Sequence, residues 1–428
     1  MRLLFLTNLY PPHDLGGYEQ QCQEVADGLR LRGHDVAVLT SRHRVAGVTD
    51  TPAPAMLPVE RSLYLLSDLD YYRPLHFFLR ARVEERANLL ALRRKLDVFR
   101  PDLVVVWGMW QLSFQLPRHA EDWCPGRVVY YIASYWPTDA DPHRAYWLSP
   151  ARRQSTELVK APLRRLALAR LHADGYPPKL ALERVVCVSE YVRTRLMEAG
   201  KLPDGGEVMY CGVDSNPFSL PSAAAARSEG PLRLLYFGRL IEDKGCHTAI
   251  EAIGILCQMG AGDRVHLTIL GTGHPAYEAR LRRLAADQRV SQHVSFAGRR
   301  SRDEIPKALE DFDVFLFTSI WPEPFGRTII EAMLAGLVVI GSAVGGSREI
   351  LQRYDETLLF PPGDANALAQ RIAMLAKDPV RRQQLARCGR ALATDNFSTD
   401  KMVEAMERYL LTTLRQSARR VNSSVGLA

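Results

Sequence analysis

The hydrophobic positions along the chain fall into two repeating kinds of segment. One is a short, unbroken apolar run: "LLFLT", "DVAVLT", "DLVVVWG", "RVVYYIAS" and "RVVCVS" in the first half, then "LRLLYFGR", "VHLTILG", "HVSFAG", "DVFLFTS" and "LVVIGS" in the second. Runs of Val, Ile and Leu without polar alternation predict parallel strands covered on both faces. The other kind is longer and amphipathic, as at 18–32 and 248–259, the first closed by Gly33, a residue suited to stopping a helix. Strand then helix, repeated, predicts parallel sheets with crossover helices. The series occurs twice, and 215–231, "SNPFSLPSAAAARSEGP", reads as the linker between the two. The expected fold is α/β: two doubly wound, Rossmann-like domains, at 1–215 and 216–400, with 401–428 as a long final helix. Ligands of open parallel sheets sit at the carboxyl ends of the strands, so the expected site is a cleft that two such domains face.

Length and composition agree with this division. A chain of 428 residues exceeds one ordinary core. With 47% apolar and 24% charged residues it is globular. No apolar run approaches the roughly 18–20 residues of a membrane helix, and "MRLLFLTNLYPP" reads as a first strand and turn, not a signal peptide. The seven cysteines are scattered and form no C-x-x-C pair, which favours a reducing compartment and argues against structural zinc. The expected location is cytoplasmic. Lys plus Arg outnumber Asp plus Glu by 55 to 48, a net +7. That excess suits an anionic ligand or an anionic membrane surface, and no aromatic–basic interleaving points to nucleic acid. It concentrates in 151–171, where Arg152, Arg153, Lys160, Arg164, Arg165 and Arg170 accompany one acid, Glu157, with leucines between them. Two readings are open there. A basic amphipathic helix can lie on acidic lipid, or the charges form an ordinary solvated face over the core.

The richest chemistry lies in "SIWPEPFGRTIIEAMLAG", 319–336. A buried strand leads into a proline-stiffened loop and then a helix that begins near Gly326. Gly326 has no side chain, so a ligand can approach the backbone. The amides of Arg327 and Thr328, at the positive end of the helix, suit an anion. Glu323 lies before that point and Glu331 about one turn beyond it. With a diphosphate on the helix start, the two carboxylates would reach polyol groups on its two sides, a sugar and a ribose. Alternatively Glu323 is a cap and Glu331 faces solvent. A second motif, "LLYFGRLIEDKGCHTAIEAI", sets Gly238, Arg239 and Lys244 at a strand end, where two cations offset much of a diphosphate's charge without metal; an ordinary surface loop is the other reading. "LTILGTGHP" has Gly271 at a strand end, a weak signal alone. "DLGGYEQQ" sets Gly16 and Gly17 between the first strand and its helix, a further backbone anion nest. D-x-D pairs at Asp68/Asp70, Asp139/Asp141 and Asp311/Asp313 are close to what chance provides; Asp139/Asp141 is the pair worth checking for metal. The other two carry no such expectation.

Taken together these motifs resemble the family-4 glycosyltransferases of the GT-B fold, the group that includes glycogen synthases and bacterial mannosyl- and glucosyltransferases. The likeness runs through "YPPHDLGGYEQQCQEVADGLRLRGHDVAVLT", "VVCVSEYVRTRLMEAG", "YFGRLIEDKG", "LGTGH", "EPFGRTIIEAMLAGLVVIGSAVGGSREI" and "LLFPPGDANALAQRI". It implies a retaining, metal-independent transfer of a sugar from a nucleotide-diphosphate sugar, UDP- or GDP-linked, with no other cofactor. The acceptor is not identified by the sequence: a cell-surface polysaccharide, glycolipid or small-molecule glycoside are the candidates, and "YYRPLHFFLRARVEERANLL" with the basic 151–171 segment carries the expectation of a lipid-linked acceptor and peripheral contact at the inner membrane face. By the same resemblance Arg239 and Lys244 hold the diphosphate. Glu323 meets the transferred sugar, and Phe325, Gly326, Arg327 and Thr328 offer backbone contacts. Glu331 takes the ribose, Gly16 and Gly17 close on the donor, and the final helix crosses back to the N-terminal domain, which binds the acceptor. Two positions depart from the pattern. The family often has a histidine after the strand in "RVVYYIASYWP", where this chain has Ala133 and Ser134, and the Asn usual before "GVD" is Cys211. His143 lies nearby and reads as a surface-loop histidine. The departure keeps a second reading open: a noncatalytic nucleotide-sugar-binding protein on the same fold.

Overall fold

The computed structural model describes the chain except for residues 46, 47, 49–56, 70, 140, 152, 203, 204, 219–229 and 426–428, and gives backbone alone at 420–425. Asp70, Arg152 and most of the 215–231 segment lie outside the described residues. The chain divides into two compact units. The first comprises Met1–Val188, Val192–Met209 and Val403–Ala428; the second comprises Ser189–Tyr191 and Tyr210–Met402.

The first unit is a seven-stranded sheet of β1 (Arg2–Leu6), β2 (Asp35–Ser41), β3 (Val59–Leu63), β4 (Leu103–Val106), β5 (Val128–Ile132), β6 (Val185–Cys187) and β7 (Glu207–Val208). Their order is β3-β2-β1-β4-β5-β6-β7, and every pairing is parallel. The second unit is a six-stranded sheet of β8 (Leu232–Phe237), β9 (Val265–Leu270), β10 (Val294–Gly298), β11 (Val314–Phe317), β12 (Val338–Ser342) and β13 (Leu359–Phe360). Its order is β10-β9-β8-β11-β12-β13, again parallel throughout. Each of the ten apolar runs is a strand. Central strands such as β1 and β4 bury Leu3, Leu4, Phe5, Leu6 and Leu103, Val104, Val105, Val106 completely, because helices cover both faces of a parallel sheet. Three strands escaped the pattern: β3, β7 and β13. All three are edge strands, two of them only two residues long, and β3, "VERSL", is half-buried and polar.

In each sheet the chain reverses its direction of winding once, between β1 and β4 in the first and between β8 and β11 in the second. Such switch points leave a crevice at the carboxyl ends of the two strands. The Thr399–Val425 helix starts in the second unit and from Val403 onward belongs to the first. There Met406 and Leu410 are buried, and Glu407 accepts from Arg32 at 2.9 Å and His34 at 2.7 Å.

The structure corrects two expectations in the first unit. Of the basic residues within the Gln154–Ala173 helix, Arg165 is exposed, whereas Lys160, Arg164 and Arg170 turn back onto their own unit. Lys160 is buried, donates to the Ser149 carbonyl at 2.9 Å and lies over the Tyr146 ring. Arg164 donates to the Trp147 carbonyl at 2.7 Å and pairs with Glu157 at 2.6 Å. Arg170 lies over the Phe77 ring at 4.7 Å. His143 is not a surface-loop residue. It sits in the Pro142–Leu148 helix, buried, edge-on to Phe77 and Tyr72, with Nδ1 2.8 Å from the Tyr72 hydroxyl. Burial, with Arg170 and His76 nearby, pushes its pKa down to about 3, so the ring is neutral.

Candidate functional site

The loops that leave β8 and β11 at the second switch point are laced together. Asp243 accepts from the backbone amides of Ile320 at 2.9 Å and Trp321 at 3.2 Å, and its carbonyl also takes the Ser319 hydroxyl at 3.1 Å. Thr318 donates to the Lys244 carbonyl at 3.1 Å. This closeness needs Gly245: its φ is +63°, and a Cβ there would lie 2.0 Å from the Thr318 carbonyl oxygen. Gly271 serves the loops after β8 and β9 in the same way, with φ +150° and a would-be Cβ 1.9 Å from the Gly238 carbonyl oxygen. The weak glycine signal at 271 is therefore a packing requirement that sets the Gly238–Arg239 backbone.

The lacing brings Lys244 and Glu323 together. Glu323 is buried, and its Oε1 takes the Lys244 ammonium as an ion pair and the Ser319 hydroxyl at 2.8 Å. Its Oε2 has no partner among the described residues. The Glu323 carbonyl accepts from the Gly346 amide at 2.7 Å, which pins the loop from its other side. Glu323 is thus not a helix cap. Arg239 is exposed and carries no ion pair among the described residues; its carbonyl accepts from the buried Tyr236 hydroxyl at 3.0 Å, and burial raises the pKa of that hydroxyl well above its ordinary value.

The Arg327–Leu334 helix follows. Gly326 is its N-cap and supplies no side-chain cap to the first turn. Phe325 is buried between the rings of Tyr210 and Phe397, each at 5.8 Å, which anchors the backbone just before the helix start. Thr328 is half-buried. Glu331 does not face solvent. It is 1% exposed; its Oε1 takes Arg302 at 2.6 Å and Arg327 Nε at 3.3 Å. Its Oε2 is buried with no hydrogen-bond partner. A buried polar oxygen left so is costly, and ligand hydroxyls would satisfy it. Carboxylates, two cations and the amides of a helix start without a side-chain cap, all within one unit, can hold a polyol–diphosphate–polyol molecule.

Sequence reasoning missed Ser319 and Arg302. Ser319 lies two residues past β11, and its pairing with Glu323 follows from the turn. Arg302 comes from the turn after β10, and no local spacing ties it to Glu331.

In the first unit, Gly16 is the N-cap of the Gly17–Leu31 helix and again provides no side-chain cap. The adjoining Tyr18 hydroxyl lies 2.6 Å from the Trp107 carbonyl and 2.8 Å from that of Tyr131, which fixes the helix start at the ends of β4 and β5. Asp141 is committed elsewhere. It caps the Pro142–Leu148 helix, accepting from the amides of His143 at 2.9 Å and Arg144 at 3.1 Å, and takes the Tyr176 hydroxyl at 2.7 Å. Burial raises its pKa and that of Asp139. Among the described residues no group of three His, Cys, Asp or Glu is placed to hold a metal ion.

The sequence profile described as Glycosyl transferases group 1 matches residues 222–392, and that described as Glycosyltransferase Family 4 matches 15–216. Glycogen synthase of Mycobacterium tuberculosis (strain ATCC 25618 / H37Rv) is 25% identical over 435 residues, covering 97% of this chain and 95% of that protein. The lipopolysaccharide core biosynthesis glycosyltransferase LpsE of Rhizobium meliloti (strain 1021) is 31% identical over 246 residues, covering 55% of this chain and 67% of its own. Among solved structures, Anabaena Alr3699/HepE in complex with UDP and glucose is similar with a TM-score of 0.66 at 21% identity, over 95% of this chain and 98% of that one.

Proposed function

The chain belongs to the family-4 glycosyltransferases of the GT-B fold, which use nucleotide-sugar donors, and from that premise we propose a retaining, metal-independent hexosyl transfer with the donor held at the switch point between β8 and β11. The observation that carries the reading is the Lys244–Glu323 pair across that switch point, with Glu331 following on the next helix.

In this reading Arg239, Lys244 and the amides of Arg327 and Thr328 take the diphosphate, with Gly238 and Gly271 shaping the loop beneath it. Glu323 Oε2 accepts from hydroxyls of the transferred sugar, and Glu331 Oε2 from the ribose. Phe325 and Gly326 keep the backbone open, and Gly16 and Gly17 contact the donor from the N-terminal domain. The bond from the anomeric carbon to the leaving diphosphate oxygen breaks, and a bond to the acceptor oxygen forms on the same face. The acceptor proton passes to the departing diphosphate. Protein cations offset the charge that develops there, which is the support for metal independence. UDP- and GDP-sugars are the donors of choice. A lipid-linked glycan handled at the cytoplasmic membrane face is the acceptor class, motivated by the relative named for lipopolysaccharide core synthesis.

A panel of nucleotide sugars, with and without acceptors, tests this. Slow donor hydrolysis by the wild type in excess EDTA, lost in Glu323→Ala, is expected, and NMR of the product should report the donor's anomeric configuration. Strict dependence on divalent ions or an inverted product would overturn the corresponding part. Ala133 and Ser134, where the family often has histidine, favour a second reading as a noncatalytic nucleotide-sugar-binding protein. Ligand-induced thermal stabilisation with no turnover across the panel would select it.

A further inference from the structure

The first unit has a switch point of its own, between β1 and β4, and the loop that leaves β4 there turns one large side chain outward. From Leu103 to Arg118 every residue is buried or half-buried except Trp110, which is 46% exposed. The chain around it is tightly held. At Gly108 a Cβ would lie 2.2 Å from Asn8 Oδ1, and Met109 and Leu112 on either side of the exposed ring are buried. Gln111 has a φ of +60°, a conformation that costs a residue other than glycine energy unless its surroundings impose it. They do: its carbonyl accepts from the Leu66 amide at 2.8 Å, and its Oε1 from the Ser67 hydroxyl at 2.9 Å. The indole is thus carried on a rigid loop. The other exposed aromatic rings of the unit, Tyr71 and Trp123, are each covered by a guanidinium, Arg73 at 5.2 Å and Arg93 at 4.7 Å. The Trp110 indole has no ring, cation or hydrogen-bond partner among the described residues.

We propose that Trp110 is a stacking platform for the acceptor, and that the acceptor is a saccharide that lays the apolar face of one ring on the indole. The C–H bonds on that face of a pyranose carry partial positive charge from the oxygens beside them, and the face of an indole carries the negative part of its quadrupole. The indole N–H adds a donor for a hydroxyl. Hydroxyls at the rim of a stacked ring need partners to the side, and the structure provides them. Ser67, which holds Gln111, also lines a cavity of about 200 Å³ with Arg42, Asp68, Arg73, His76 and Glu84. Donors and carboxylate acceptors stand together in its walls: Arg73 pairs with Asp68, and His76 with Glu84 at 2.9 Å. Walls of both signs suit a polyol better than an alkyl chain, which would leave them unsolvated. They also differ from the dry pocket that surrounds an aromatic anchor between proteins. The place in the fold agrees, since ligands of open parallel sheets bind at the carboxyl ends of the strands, at a switch point. The inference rests on the reading of the chain as a sugar transferase, and on neither its stereochemistry nor its metal independence.

Saturation-transfer NMR of the full chain tests it, with maltoheptaose, mannotetraose and delipidated lipopolysaccharide core oligosaccharide as probes. Wild type should bind at least one of them, with saturation strongest at the C–H protons of one ring face. Trp110→Leu keeps an apolar side chain without the quadrupole and should weaken that binding about tenfold, whereas Trp110→Phe should weaken it about two- to threefold. The position is exposed, so the melting temperature should be the same in all three proteins, as should nucleotide binding by calorimetry, which reads the second unit. The two readings fail separately. Absent donor turnover, with saccharide binding that still depends on Trp110, overturns the transferase reading and leaves the platform. Wild type that binds none of the probes, or Trp110→Leu that binds as wild type does, overturns the platform. So does light scattering that shows a dimer abolished by Trp110→Leu, since a second copy is then what covers the ring.

Discussion

The two units share an architecture and differ in what they present to the outside. Among the described residues the second unit exposes only Met259, Trp321 and Val380 as large hydrophobic side chains; the remainder of that class, from Leu15 to Met197, lies in the first. The second unit spends its special geometry on backbone: crossed loops, glycines under carbonyls, carboxylates held by short-range contacts. The first leaves aliphatic side chains outward and buries polar ones, His143, Asp141 and Lys160 among them. The special geometry of one unit lies in its loops, and that of the other in which side chains it turns inward and outward.

Breaking the second unit's chemistry should give the largest effect. Glu323→Ala is expected to lower sugar transfer by about a hundred- to a thousandfold while circular dichroism stays native, measured as donor consumption; transfer within about tenfold of wild type would remove Glu323 from the chemistry. Next is the backbone itself. Gly271→Ala forces a side chain into 1.9 Å of the Gly238 carbonyl at φ +150° and should cost about 2–4 kcal/mol, read as a shifted urea midpoint. Leu158→Glu, in the first unit, should leave that midpoint where it is.

A finer comparison concerns Glu331. Glu331→Ala should weaken nucleotide binding about tenfold or more. Arg302→Ala frees an oxygen that the arginine occupies at 2.6 Å and should leave affinity unchanged or raise it about two- to fivefold. Calorimetry with UDP and GDP reads both, and a loss with Arg302→Ala would mean that the arginine contacts the ligand.

The smallest effect belongs to the first unit's core. His143 has a folded pKa of about 3 against an ordinary 6.5. The unfolded chain alone takes up the proton as pH falls through 6.5, so this contribution is whole above 6.5 and shrinks below it. Wild type should lose roughly 1 kcal/mol relative to His143→Leu between about pH 7.5 and 5.5. Asp141 and Glu85, whose pKa values burial raises, act in the opposite direction but are common to both proteins and cancel in the difference. A gap between the two urea midpoints that does not change with pH would contradict the buried, neutral imidazole.

The central strands were legible because a sheet covered on both faces writes unbroken apolar runs. The edges β3, β7 and β13 were not, since a strand that is short or half-solvated loses that signature. At the site, Lys244 and Glu323 could be read from their places after strands. Their direct pairing could not, because it depends on β8 and β11 being neighbours, a fact of topology and not of spacing. Arg302 illustrates the same limit. The inward turn of Lys160, Arg164 and Arg170 was hidden for another reason: composition counts charges, whereas a long Lys or Arg can bend back to a carbonyl or a ring, and only packing says which way it goes.

The most direct test is a crystal structure with UDP, GDP or an intact nucleotide sugar bound. The account predicts the diphosphate within hydrogen-bond distance of Arg239, Lys244 and the amides of Arg327 and Thr328, with the ribose on Glu331 Oε2 and the sugar on Glu323. A nucleotide bound away from the β8–β11 switch point, with Lys244 still locked on Glu323, would contradict it.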